Sequence, residues 1–114
     1  MHIQINTDHN IQGYESVATA ARAAVEAALQ RFSARITRVE VHVGDENGSK
    51  RGGEDKRCMM EARLEGHSPV AVTHHAETVV QAIDGAADRL VHVLEHLFGR
   101  LHDHRNHPAS AEVN

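Results

Sequence analysis

The chain has 114 residues, of which 40% are hydrophobic, so its length allows one domain around one hydrophobic core. A formal net charge of -4 argues against a protein that binds nucleic acid by bulk charge, although 11 histidines can add positive charge in mild acid. A single cysteine, Cys58, excludes an internal disulfide and a cysteine-based zinc site. We therefore expect a soluble, cytoplasmic protein, with neither a signal peptide nor a membrane span in its sequence.

The first part of the chain reads as strand, helix, strand. Ile3 and Ile5 alternate with polar residues over 2–6, which is typical of a short half-buried strand. A helix is then predicted from Ser16, its expected N-cap, to Phe32, because the apolar residues recur at helical spacing. Residues 37–43 alternate again and predict a second strand with one wet face.

The second part adds two strands and a long helix. Residues 44–56 are polar and glycine-rich and predict a mobile hairpin loop, followed by strands over 57–65 and 70–74. Residues 77–103 predict an amphipathic helix whose apolar face is formed by Val79, Ile83, Ala86, Ala87, Leu90, Leu94, Leu97 and Leu101. The tail over 104–114 has no periodicity and is predicted to be disordered, which leaves 1–103 as the folded domain.

This order of elements, β-α-β-β-β-α, predicts an α+β fold. Each strand has one wet face and both helices are amphipathic. A single four-stranded sheet with the two helices on one face buries all of the apolar faces.

Two motifs could indicate metal chemistry. Residues 92–96 spell HVLEH, which matches the HxxEH pattern of zinc peptidases. That chemistry also needs a third ligand and a cleft, so we interpret His92 and His96 as exposed histidines and predict neither hydrolysis nor bound zinc. His102, His104 and His107 near the chain end could bind an adventitious metal. Cys58 alternates with apolar residues and is interpreted as a small core side chain.

The last predicted helix also has a basic row. It consists of Arg89, His92, His96 and Arg100, which follow one another on one side of the helix. The residues alone fit two interpretations, a charged surface that favours solubility or a surface that binds phosphate.

Two helical segments resemble a known family, the short ribosome hibernation-promoting factors, also called ribosome-associated inhibitors or ribosomal subunit interface proteins. They are AARAAVEAAL and AETVVQAIDGAADRLVHVLEHLFGRL. In that family the last helix follows an acidic turn, passes an Ala-Ile-(Asp/Asn) step and reaches a Lys/Arg-Leu-x-Arg pattern. Here those places hold Glu77, then residues 82–84 and then residues 89–92. The resemblance covers about residues 1–103 and implies a fold similar to double-stranded-RNA-binding domains.

The resemblance also implies a function. Such a protein binds the small ribosomal subunit and its ribosomal RNA at the messenger and transfer RNA channel, and silences idle ribosomes under stress. It has no catalytic activity, cofactor or small-molecule substrate, and an extra C-terminal domain of longer members is not expected here. The predicted RNA contacts are Arg22, Arg89, His92, His96, Arg100, Lys50, Arg51 and Lys56.

His92 and His96 stand where family members usually have arginine or lysine, so RNA binding is predicted to strengthen in mild acid. The alternative is a diverged member that does not bind ribosomes. Such a protein would serve as a protein-interaction or histidine-rich metal-binding module.

Overall fold

The computed structural model of the protein describes residues 1–46 and 55–113, with side chains as far as residue 99. The observed order of elements is the predicted one. The elements are β1 (His2–Thr7), α1 (Tyr14–Leu29), a short 3-10 helix (Gln30–Arg35), β2 (Ile36–Asp45), β3 (Lys56–Leu64), β4 (Val70–Ala76) and α2 (Val79–Val113).

The four strands form one mixed sheet in the order β1-β2-β3-β4. β1 is parallel to β2, and α1 makes the crossover between them, as a parallel pair requires. β2 with β3 and β3 with β4 are antiparallel neighbours. β1 and β4 are therefore the two edges of the sheet.

The core lies between one face of the sheet and the two helices. Alternate residues of β1, β2 and β3 are buried, and they form one apolar cluster with the inner sides of α1 and α2. The cluster includes all of the residues that the sequence pattern placed together in the core: Val39, Val41, Val43, Met60, Leu64, Ile83, Leu90 and Leu94. The predicted fold class is confirmed.

The predicted N-cap of the first helix is wrong. α1 begins at Tyr14, and the residue before it is Gly13, whose φ of 72° is a left-handed conformation that glycine adopts without strain. Phe32 lies beyond the end of α1, in the 3-10 helix, where its ring centroid is 5.5 Å from that of Phe98. The predicted helix was too long because Phe32 continues the apolar spacing of α1. That spacing does not distinguish an α-helix from a 3-10 helix, and Phe32 is buried in the latter.

α2 starts two residues later than the sequence pattern indicated, because Thr78 caps it. The Oγ1 of Thr78 accepts a hydrogen bond from the backbone N–H of Gln81 at 3.1 Å. The helix is bounded by Val79 and Val113 and thus passes Asp103, where it was expected to end. No side chain beyond residue 99 is described. The disorder predicted for residues 104–114 stays a prediction. The centre of the predicted mobile loop lies outside the described residues.

Candidate nucleic-acid interface

A groove runs between edge strand β4 and the exposed side of α2, and we call it the β4–α2 groove. It holds two cavities. The polar cavity, of about 770 Å³, is lined by Thr73, His74, His75, Ala76, Glu77, Gln81 and Arg89. The other, of about 390 Å³, has an apolar floor and is lined by His67, Val70, His92, Val93, His96 and Leu97. We call it the histidine cleft.

Arg89 is held over this groove by a histidine of β4. Its Nε donates a hydrogen bond to Nδ1 of His74 at 3.1 Å, while the Nη groups have no bond partner among the described residues. The ring of His74 lies against Gly85, where an added Cβ would be 2.6 Å from Cγ of His74 and closer still to two other ring atoms. Gly85 thus makes room for the histidine that orients Arg89.

His92 and His96 follow Arg89 along the same side of α2, and both side chains are exposed. The Nδ1 of His92 is 3.2 Å from the carbonyl oxygen of Asp88, so this nitrogen donates and Nε2 is left for another partner. His67 has a similar arrangement across the groove, with its Nδ1 2.8 Å from the carbonyl oxygen of Ser68. A neutral imidazole in this tautomer offers an acceptor at Nε2, and a protonated one offers a donor.

Ion pairing separates the basic side chains into two groups. Within the described part of the chain, five pair with carboxylates: Arg31, Arg38, Lys56, Arg57 and Arg63. Arg22, Arg35 and Arg89 have no carboxylate partner among the described side chains. Since a carboxylate neutralises its partner, the second group has more charge to offer a phosphate.

Lys56, one of the predicted RNA contacts, belongs to the first group. Its Nζ lies 3.1 Å from Asp55 and 3.4 Å from Asp45. The hydrogen bond with Asp55 is the main reason why the pKa of Lys56 lies above its ordinary value. Lys56 therefore stabilises the start of β3 through ion pairs with these two carboxylates.

The predicted contacts whose side chains the structure describes do not form one patch. Arg89, His92 and His96 lie together on α2, whereas Nη1 of Arg22 donates to the backbone oxygen of Ile3 at 3.3 Å, at the β1 edge. The two edges are separated by three interstrand spacings, about 14 Å in all. The side chains of Arg100, Lys50 and Arg51 lie outside the described residues.

Sequence reasoning did not include the histidines that complete the groove, His67, His74 and His75, among its contacts. A signal for His74 was present, because it continues the inward alternation of Val70 and Val72 on β4. A glycine inside a helix, such as Gly85, also indicates that another group approaches closely. Arg35 was missed too; its guanidinium carbon lies 4.3 Å from the ring centroid of Phe98.

Metal binding, a reactive thiol and a membrane span each find little support in the described part of the chain. Among those residues, no three histidine, cysteine, aspartate or glutamate side chains are grouped so that they could hold a metal ion. Cys58 is fully buried, and burial raises the pKa of its thiol to about 12, as expected for a core side chain. Neither helix has a described stretch that is long and apolar enough to span a membrane.

The fold and the groove define a class: an α+β domain with a mixed four-stranded sheet under two helices, and an exposed basic row on the second helix. Comparison with known sequences identifies the family. The profile of the family described as Sigma 54 modulation protein / S30EA ribosomal protein matches residues 4–102. The chain belongs to this family, which confirms the resemblance found in the sequence. A search of curated proteins finds no match.

Solved structures agree on the fold. The chain is similar to the N-terminal domain of Protein Y from Thermus thermophilus, with a TM-score of 0.67 and 21% identity, over 85% of this chain and 99% of that one. It is also similar to a ribosomal subunit interface protein from Coxiella burnetii, with a TM-score of 0.64 and 17% identity, over 87% and 99% of the two chains.

Proposed function

We propose that the protein is a cytoplasmic, ribosome-associated translation inhibitor. It binds the small ribosomal subunit at the messenger and transfer RNA channel and silences idle ribosomes under stress. Membership of a family of ribosomal and modulation proteins supports this proposal, as does the likeness to a ribosomal subunit interface protein. The inhibitor acts by occupying the site that messenger or transfer RNA needs, so no step of catalysis is required.

The observation that supports RNA binding best is the exposed row Arg89, His92 and His96. Arg89 is anchored through Nε to a histidine and not to a carboxylate, so its Nη groups and its charge face the solvent. His92 and His96 extend the row along α2 by about two helical turns, about 10 Å. Their imidazoles can hydrogen-bond to phosphate or sugar when neutral and add charge when protonated. The row therefore fits a nucleic-acid backbone read through its phosphates.

Arg22 is a second contact in this proposal, at the opposite edge of the sheet. A domain that uses both edges, about 14 Å apart, would contact two separate backbone segments of folded RNA, which suits recognition by shape. Lys56 has a smaller part, because two carboxylates already surround it. Arg100, Lys50 and Arg51 remain proposed contacts on the sequence alone.

Ribosome binding tests this function directly. The purified protein is added to ribosomes and traced across a sedimentation gradient at several salt concentrations. Arg89→Ala should weaken co-sedimentation and reduce the slope of log affinity against log salt by about 0.7–0.9, the contribution of one phosphate contact. Arg63→Ala is the matched control, because Arg63 lies on the opposite face of the sheet near Glu40 and Glu61.

The histidines predict a pH dependence that a lysine or arginine row would lack. Affinity should rise between about pH 7.5 and 6, and alanine at both His92 and His96 should remove most of that rise. The groups around them are Asp88, Arg89 and Glu95 on α2 and His67 across the groove; Glu95 is already paired with Arg31.

Two results would contradict the proposal. Recovery of the protein only in the top fractions favours the alternative, a diverged family member that no longer binds ribosomes. An equal response to pH in the wild type and in the double alanine variant places the two histidines outside the RNA interface. No group of described residues supports a histidine-rich metal module as a second function.

A further inference from the structure

The histidine cleft differs from the rest of the β4–α2 groove because its floor is apolar. Val70, Val93 and Leu97 form the floor, and three imidazoles stand around it. Val93 is 39% exposed, which makes it one of the few large apolar side chains at this surface. A row of phosphate contacts does not need an apolar floor, so the cleft suggests a ligand with a flat, apolar part.

The cleft shares His92 and His96 with the basic row and lies next to Arg89. Val93 follows Arg89 by four residues, a displacement of about 6 Å along the helix axis. A strand whose phosphate contacts Arg89 can therefore place a neighbouring group over Val93. The two cavities of the groove suit the two parts of such a strand. The polar cavity at Arg89 suits the phosphate, and the cavity with the apolar floor at Val93 suits the neighbouring group.

We infer that the histidine cleft binds one unstacked base of single-stranded RNA, with its ring on Val93 and its edges against His67, His92 and His96. This inference deepens the proposed function and rests on it. Sequence-tolerant recognition of single strands combines a positive groove with side chains on which bases stack, and the apolar floor at Val93 takes the place that an aromatic side chain has in such proteins. Unstacked bases of RNA also offer hydrogen-bonding edges that imidazoles can meet.

The hydrogen bonds of the imidazoles fit this ligand. Because Nδ1 of His67 and of His92 is used by a backbone carbonyl, each ring has its Nε2 left for the base. With a base in the cleft, His92 contacts the base in place of a phosphate or sugar, and Arg89 keeps the phosphate contact. Nε2 accepts from a donor such as an exocyclic amino group when the imidazole is neutral, and donates to a carbonyl oxygen or ring nitrogen when it is protonated. The cleft volume of about 390 Å³ also falls within the about 300–1,000 Å³ of small-ligand sites.

A base also fits the cleft better than an apolar peptide does. Protonation of the surrounding histidines and the nearby guanidinium of Arg89 favour a ligand that is joined to negative charge, and every base of RNA is joined to phosphates. An apolar side chain of another protein would contact the floor but would make no use of the hydrogen-bonding groups of the imidazoles.

The test compares two short strands of equal length, a single-stranded RNA and the same ribose-phosphate chain without bases. Binding of each to the purified protein is measured by fluorescence anisotropy at one ionic strength. Val93→Gln places a polar group on the floor, and Val80→Gln is the matched control, because Val80 is a 56% exposed valine outside the groove on the same helix. Urea unfolding of both variants checks that the fold is retained.

The wild type should bind the base-bearing strand about fivefold more tightly than the abasic strand, because the base removes the apolar floor from water. Val93→Gln should abolish most of that preference while leaving abasic binding unchanged, and Val80→Gln should leave both unchanged. Equal affinity of the wild type for the two strands overturns the inference, as does an equal effect of the two glutamine variants. A shift of Val93 methyl resonances with protein concentration alone also overturns it, because a second copy would then cover the cleft.

Ribosome sedimentation separates the failure of this inference from the failure of the proposed function. If the wild type co-sediments with ribosomes but does not prefer base-bearing RNA, the cleft assignment is wrong and the function stands. If the protein prefers base-bearing RNA in a manner that depends on Val93 but stays in the top fractions, the cleft binds RNA and the ribosomal function is wrong.

Discussion

Gly85 provides the sharpest test of how α2 lies on β4. Its replacement by alanine should stabilise the helix by about 0.8–1.0 kcal/mol if nothing else changes, because glycine is a poor helix former. The structure places an obstacle there, since a Cβ at this position would be 2.6 Å from Cγ of His74 and would overlap two other ring atoms. Overpacking of this kind costs about 1–3 kcal/mol. The net effect of Gly85→Ala should therefore lie between about 0 and 2 kcal/mol of lost stability.

Two further variants make the reasoning quantitative. Gly99 is a glycine of the same helix where an added Cβ would meet nothing within 4 Å, so Gly99→Ala should raise stability by about 1 kcal/mol. In a His74→Ala background the obstacle is gone, and Gly85→Ala should then be stabilising by a similar amount. The free energy of unfolding in urea, measured for the four members of the cycle, gives a coupling of about 1–3 kcal/mol between positions 74 and 85.

The reasoning is refuted if Gly85→Ala stabilises the wild type as much as Gly99→Ala does. The ring of His74 would then not lie against the helix, and its bond to Arg89 would lose its geometric support. The reasoning is also refuted if Gly85→Ala changes the free energy of unfolding equally with and without His74, because the two positions would then not be coupled.

Three other predictions follow from burial and charge. Leu90 is fully buried, so Leu90→Ala should lower the free energy of unfolding in urea by about 2–5 kcal/mol, and a loss below about 1 kcal/mol would contradict its place in the core. Cys58 should not react with a thiol reagent at pH 8 in the folded protein but should react once urea is added, because burial raises the pKa of its thiol to about 12. The hydrogen bond from Arg38 lowers the pKa of Glu40, so this contribution to stability is present above the ordinary carboxyl pKa of about 4.3 and is lost as the pH falls through the folded value. Unfolding of Glu40→Gln should accordingly depend less on pH in acid, and an unchanged dependence would refute the assignment.

The fold could be predicted from the sequence because each element shows its own period. The strands alternate along their length since one face of the sheet is wet, and Val39, Val41 and Val43 are buried for that reason. The helix starts were less predictable. Ser16 has the chemistry of an N-cap, but the chain enters α1 through the left-handed backbone of Gly13, and nothing in the local pattern distinguishes the two.

The site was predictable only along one helix. Arg89, His92 and His96 are neighbours because helical spacing alone brings them together. The separation of Arg22 from Arg89 depends on the strand order, which puts β1 and β4 at opposite edges, and local periodicity does not encode that order. The pairing of Lys56 with Asp45 likewise depends on the β2–β3 register, where these two residues lie directly opposite each other.

The contact between His74 and Arg89 has a consequence for the pH response of the whole groove. His74 accepts the Nε–H of Arg89 through Nδ1, which requires that Nδ1 has no proton. Protonation of His74 removes this acceptor and puts a positive charge beside the guanidinium; Glu77 is the carboxylate that lines the same cavity. Acid thus frees Arg89 from its orienting partner while it adds charge to His92 and His96, and these two effects on RNA binding have opposite signs. The pH response that remains after His67, His92 and His96 are all replaced by alanine should therefore be a weakening of binding in acid, whose size reports how much the orientation of Arg89 contributes.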